Sequence, residues 1–129
     1  MSHPTVESWH ALLEKRDASD LDAILADNVV FHSPVVHTPQ EGKPLTKLYL
    51  TAALHVLVND TFTYVREVVG EDGAALEFKT EIDGIQVNGV DLMHFDENGK
   101  IDDFKVMVRP LKAINLLHGM MKQMLESMS

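Results

Sequence analysis

The chain has 129 residues, 45% hydrophobic and 24% charged, and a formal net charge of −9 at pH 7, which bounds it to one domain (residues 1–129) with enough apolar mass for a core. Eleven basic against twenty acidic residues argue against nucleic acid as a partner, because phosphate binding is driven by Lys and Arg. The absence of cysteine excludes disulfides, cysteine-ligated metals and thiol chemistry. No apolar run approaches the roughly 20 residues that span a bilayer, so no membrane partner is expected. Residues 1–7 have neither the basic nor the apolar region of a signal peptide, so a cytoplasmic location is expected.

From Thr5 to Arg16, Val6, Trp9, Leu12 and Leu13 recur at helical spacing, and Pro4 suits a first helical turn. Ser19 or Asp20 can cap a second, short helix bearing Leu21, Ile24 and Leu25, which Asp27-Asn28 ends. Val29-Val30-Phe31-His32-Ser33 is β-branched and aromatic and reads as a strand limited by Pro34. A short extended piece and a turn follow. Pro44 then opens a helix with Leu45, Leu48, Tyr49, Ala52, Ala53, Val56 and Leu57 on one face, ending near Asn59-Asp60. From Thr61 the period changes to two, giving strands over 61–69, 74–82, 87–95 and 100–108, joined by turns at Asp72-Gly73, Asp83-Gly84 and Asn98-Gly99. Asn98-Gly99 predicts a two-residue type I′ turn, with positive φ at both positions. Asn88-Gly89, inside a strand pattern, predicts a bulge or bend that curves the sheet. Pro110 breaks the last strand. Leu111, Ile114, Leu117, Met121, Met124, Leu125 and Met128 then describe an amphipathic terminal helix.

Consecutive hairpins make an antiparallel meander with the helices massed at one side, which is an α+β arrangement. A strongly bent sheet with helices on its concave face encloses a cone, a natural small-molecule site. Strand parity places Asp91 beside Met93 and Phe95 on a mostly apolar face. Buried there, its carboxyl is pushed toward the neutral form and can serve as an acid, a base or a hydrogen-bond donor to a ligand carbonyl. The alternative is a structural carboxylate tied to the backbone, to Arg66 or to Arg109. His37, near the end of the first strand, can reach over the rim as a base, and His37 with Asp91 is the sharpest catalytic pairing. The same parity puts Ser33 and His32 on opposite faces. Seven His residues without H-x-H or H-x-x-x-H spacing are not a metal signature. Trp9, Phe78, Val106 and Val108 are core residues that also wall any cavity, Met93 and Phe95 flank Asp91, and Ser33 and Tyr49 can supply polar atoms. The terminal-helix methionines either form an adaptable lid or pack on the sheet or on a partner.

Three stretches resemble the NTF2-like superfamily. Ser19-Asp20-Leu21-Asp22-Ala23-Ile24-Leu25-Ala26-Asp27-Asn28-Val29-Val30-Phe31 is similar to its D-L-D-x-L-x-x-L-A-D-D-V-x-F opening, and Gln40-Glu41-Gly42-Lys43 to the segment before its third helix. Residues 89–101 resemble its G-x-D-x-x-x-F-x-x-x-G-K-I hairpin. The resemblance implies a cone in which a curved antiparallel sheet wraps around the N-terminal helices, with an extra C-terminal helix here. SnoaL-like polyketide cyclases, limonene epoxide hydrolase and ketosteroid isomerase share that fold, and members are often homodimers pairing through the convex sheet face. On the ketosteroid isomerase pattern Asp91 falls on the oxyanion aspartate, which that enzyme keeps protonated. Ser33, a poor base unaided, stands at the base position, and Leu12 stands near the tyrosine position. If Ser33 faces the cavity, as the resemblance implies, His32 faces the convex side. The Asp-Arg-Asp arrangement of limonene epoxide hydrolase is not visible.

Function transfers poorly across shared folds, and three classes compete. The first is a cofactor-free acid/base enzyme of isomerase, cyclase or hydrolase type acting on a hydrophobic carbonyl compound. The second is a protein that binds a small apolar molecule without chemistry, and the third is a dimerising interaction module whose cone is filled by side chains.

Overall fold

In a computed structural model, which describes residues 3–128, the elements follow the expected order. Met1, Ser2 and Ser129 lie outside the described residues. Helix α1 (Pro4–Lys15) buries Val6, Trp9, Leu12 and Leu13 along one stripe. His3 caps it, its Nδ1 accepting from the Thr5 amide at 3.1 Å while its ring stacks on Phe95 with centroids 4.3 Å apart. A one-turn 3-10 segment (Ala18–Asp20) and α2 (Leu21–Ile24) lead into β1 (Leu25–His32). That strand starts earlier than residue types suggest. Leu25 is buried opposite Ile101 of the last strand, and the pairing shifts register between Leu25 and Val30, where Asp27 and Asn28 are exposed. The polar pair that reads as a helix stop is a bulge in a strand.

Next come β2 (Gln40–Glu41), α3 (Lys43–Leu57), β3 (Thr63–Val69), β4 (Gly73–Ile82), β5 (Ile85–Phe95), β6 (Ile101–Arg109) and α4 (Leu111–Met128). The six strands form one sheet in the order β2-β1-β6-β5-β4-β3. All neighbours are antiparallel except β1 and β6, which run parallel with Phe31 opposite Phe104. The inner face buries Phe31, Leu76, Phe78, Val87, Met93, Phe95, Phe104 and Val106 against Trp9 and Leu12 of α1 and Leu50 and Val56 of α3. Helix α4 packs along α3 and the ends of β5 and β6, fully burying Ala113 and Leu117. Among the described residues no helix is long and apolar enough to cross a membrane.

The hairpins divide by turn chemistry. Asp83 and Gly84 have φ of 51° and 76° and make the tight turn their residue types predict. At Asn98-Gly99 only Gly99 has positive φ, 77°. The Asp96 carboxylate accepts from the Asn98 and Lys100 amides, both at 2.9 Å, and the Asp96 carbonyl accepts from the Gly99 amide. An aspartate gripping the loop from inside selects a three-residue connection ending in left-handed glycine, in place of the two-residue turn. At Gly89 the bulge, one of the two alternatives expected there, is absent: the glycine's pairing with Phe78 and Val108 is unbroken. A Cβ there would lie 2.4 Å from Phe78 Cζ and 2.8 Å from the Met107 carbonyl oxygen. The glycine is a bare spot on which the Phe78 ring rests.

Candidate active site in the cone

Asp91 projects from β5 into the inner face of the sheet. Its register partners, Leu76 on β4 and Val106 on β6, are both buried and apolar, and Asp91 itself is 5% exposed. Tyr64 comes to it from β3, two strands away. There the pairing passes from Tyr64–Phe78 to Arg66–Glu77, so Val65 is an extra residue bulged outward and 47% exposed. The bulge resets the alternation and leaves Tyr64 aimed inward, where it meets Phe62 and Phe78 edge to face.

The Tyr64 hydroxyl donates to Asp91 Oδ2 at 2.6 Å and accepts from the Trp9 indole N–H at 2.8 Å. A three-member chain thus links α1, β3 and β5. Among the described residues Tyr64 is the carboxyl's hydrogen-bond partner, leaving the second oxygen for the space in front of it. Burial is the main influence on Asp91 and pushes its pKa from 3.8 to about 7, against the smaller downward pull of the Tyr64 hydrogen bond. The Tyr64 phenol is held well above its ordinary value, first by burial and then by the neighbouring Asp91 charge. At neutral pH the phenol is therefore neutral, and the carboxyl exchanges readily between acid and carboxylate. The alternative tethers are elsewhere: Arg66 faces Glu77 at 3.6 Å, and Arg109 donates to Asn88 at 3.4 Å.

The space before Asp91 is small, a void of ≈ 20 Å³ walled by Trp9, Leu50, Leu57, Phe62, Tyr64, Phe78, Phe104 and Val106 among others. That is room for about one water molecule. An open cleft of ≈ 480 Å³ between α1 and β3 abuts it and shares the walls Leu13, Val58, Phe62 and Tyr64. A second cleft of ≈ 260 Å³, between α1 and α3, shares Leu13, Leu54 and Val58. No residue of α4 lines the void. The terminal methionines Met120, Met121 and Met124 instead pack half-buried on the core.

Of the residues singled out in the sequence, Asp91, Trp9, Phe78 and Val106 meet at the void. Met93 and Phe95 are buried core. Tyr49 packs on Phe31, ring centroids 6.1 Å apart, and does not line the void. His37 is not brought to Asp91. It lies with Ser33 and Val108 along a different cleft of ≈ 500 Å³, beside Lys105 and Met107. The strand–turn geometry explains this: the Ser33 hydroxyl accepts from the Val35 amide at 3.1 Å, folding residues 33–35 into a local turn. His32 pairs with Asp103 at 2.8 Å, next to the His94–Asp102 pair at 2.6 Å. Among the described residues no three His, Asp or Glu side chains are grouped to hold a metal ion. Tyr64, the hydrogen-bonding neighbour of Asp91, is not among the residues singled out in the sequence. Its signal was its shared parity with Phe62, but the bulge at Val65 hides how far inward it reaches.

The SnoaL-like domain model matches residues 6–104. No curated protein sequence matches the chain. Among solved structures, a steroid delta-isomerase from Pseudomonas aeruginosa is 35% identical, with 95% of this chain and 90% of that one covered and a TM-score of 0.90. An uncharacterized protein with a cystatin-like fold from Silicibacter pomeroyi is 30% identical over 94% of this chain and 84% of that one, TM-score 0.87. The epoxide hydrolase/cyclase-like enzyme SalBIII, of pyran ring formation in salinomycin, shares the fold at 17% identity, with 81% and 88% coverage and a TM-score of 0.65.

Proposed function

The chain belongs to the SnoaL-like domain family of the NTF2-like superfamily, and on that premise we propose that its cone binds a small apolar carbonyl compound whose oxygen is held by Asp91. The reading extends to cofactor-free proton transfer of the isomerase kind. The observation that carries it is the buried Trp9–Tyr64–Asp91 chain, which ends in a carboxyl pushed up to about 7 at the head of an apolar hollow. Protonated, Asp91 can donate to a carbonyl oxygen and stabilise the negative charge that develops there when a neighbouring C–H bond gives up its proton. The Pseudomonas aeruginosa relative is a steroid delta-isomerase, which accords with a bulky apolar ligand and double-bond migration. Such a ligand lies mainly in the ≈ 480 Å³ cleft, and its carbonyl end enters by displacing Val58 and Phe62, two of the walls shared with the void. The protein acts as a homodimer paired through the outer sheet face. Val68 and Met107 there are 63% and 51% exposed, and Met107→Lys should shift sedimentation toward the monomer.

The test is turnover of a panel of β,γ-unsaturated ketones, steroidal ones included, followed by the absorbance of the conjugated enone. Asp91→Ala should cost about 10²–10³ in kcat, as loss of one oxyanion donor does. Equal turnover in wild type and variant ends the role of Asp91. The small void favours one second reading, an interaction module with a cone filled by side chains. Failure of every ketone in the panel to bind would count against the first reading and for this one.

A further inference from the structure

The mouth of the cone carries a second pair of titratable side chains, which the Asp91 chain does not use. His10 on α1 and Glu67 on β3 approach to 2.6 Å between Nε2 and Oε1. Two bare acceptors at that distance would repel, so a neutral ring carries its proton on Nε2 and its lone pair on Nδ1. The carboxylate lies off the N–H axis, so Nε2, though buried, touches Oε1 closely without an aligned hydrogen bond. Both side chains are about one third exposed, 36% and 35%. They line the ≈ 480 Å³ cleft together with Tyr64, whose ring centroid is 5.5 Å from the imidazole. Tyr64 is also the residue that holds Asp91. Two groups able to exchange protons therefore meet one tyrosine, His10 against its ring and Asp91 at its hydroxyl. The other charged groups along the cleft are Glu14 and the Arg16–Asp60 pair, closed on itself at 2.8 Å.

We propose that His10, oriented by Glu67, is the second proton-transfer group of this site, working on a ligand carbon in the cleft while Asp91 holds the ligand oxygen. This rests on the carbonyl-binding reading above and adds to it the base that Ser33 and His37 do not supply. The imidazole lone pair takes the proton from the carbon between the carbonyl and the alkene. The electrons of that C–H bond form the enol double bond, and the carbonyl pair moves onto the oxygen facing Asp91. The oxygen pair then re-forms the carbonyl, the enol pair shifts to make the conjugated double bond, and the alkene pair takes the proton at the far carbon from the imidazolium, which Glu67 faces. The double bond has moved, with no net change in redox state or protonation.

Two probes separate the claims: 2-naphthol, a stable enol mimic, and the best ketone of the panel. Wild type, His10→Gln, Glu67→Gln and Asp91→Asn are compared after circular dichroism confirms that each is folded. 2-Naphthol should shift the His10 imidazole proton resonance. His10→Gln should lower kcat by about 10²-fold or more while 2-naphthol still binds. Glu67→Gln should lower kcat by about tenfold with KM little changed, because the ring loses the carboxylate that orients it. If His10→Gln turns over within about twofold of wild type, or the wild-type His10 resonance ignores 2-naphthol, the assignment is overturned, while an Asp91→Asn defect keeps the first reading alive. If wild type neither binds 2-naphthol nor turns over any ketone, both fall together.

Discussion

Replacing Asp91 by asparagine keeps the shape and an oxygen for the Tyr64 hydroxyl but removes the charge, so the pair of proteins measures what burying this carboxyl costs. The folded-state pKa of about 7 lies above the ordinary 3.8. Between those values the folded protein keeps a proton that the unfolded chain releases, so stability falls as pH rises. Below 3.8 both states are protonated and the full stability is present; above about 7 both are ionised and the loss is complete. The gap of about three units, at ~1.4 kcal/mol each, gives about 4 kcal/mol, a large part of a small domain's stability. The carboxyl is almost fully buried, so little solvent screening discounts that figure. The assay is urea unfolding of both proteins at several values from about pH 4 to about pH 8.5, with wild type minus variant plotted against pH. Taking the difference cancels groups common to both, among them Asp17 and Asp22, whose exposed carboxyls are lowered by the Ser19 amide and by Lys47 and so lose stability toward acid. Wild type should lose about 4 kcal/mol relative to Asp91→Asn across the range, levelling off above about pH 8. A difference that stays flat would refute the reasoning, because it would mean the carboxyl ionises in the folded protein as easily as in water.

Tyr64→Phe strips the carboxyl of its donor and the Trp9 N–H of its acceptor; it should cost about 1–3 kcal/mol in urea unfolding and raise the Asp91 pKa further, read from the carboxyl carbon's NMR titration. Gly89→Ala drives a methyl into Phe78 and the Met107 carbonyl, and should destabilise by about 1–3 kcal/mol in the same assay. Asp96→Ala removes two side-chain-to-amide bonds from the β5–β6 loop, costing about 1 kcal/mol and speeding amide exchange at Asn98 and Lys100.

The helices and the meander were legible because their information is local. The stripe on α1, the alternation Leu76, Phe78, Thr80, Ile82 on β4 and the Asp83-Gly84 turn each lie within a few residues. Parity alone placed Asp91 on the inner face. What was not legible depends on partners far along the chain. Leu25 is a strand residue because Ile101 lies opposite, and no local pattern around Asp27-Asn28 encodes that. Tyr64 reaches Asp91 through a one-residue bulge, which the period of two cannot show. His10 and Glu67 belong to different elements, and as polar members of an amphipathic helix and an edge strand they read individually as surface. Family resemblance pointed to the position of Asp91 but offered Leu12 and Ser33 as its companions, whereas the folded chain supplies Trp9 and Tyr64.

The parallel seam between β1 and β6 orders the birth of this molecule. Each hairpin from β3 to β6 can zip as soon as it is made, but β1 emerges early and must wait for the last strand before it has a neighbour on that side. Until then the greasy stripes of α1 and α3 have no finished wall to lean on. Contacts so distant along the chain slow folding, and on the ribosome they leave the first half of the chain exposed until the second has been synthesised. Moving the first segment behind the last, in a circular permutant that brings β6 and β1 close in order, should therefore quicken refolding without altering the finished cone.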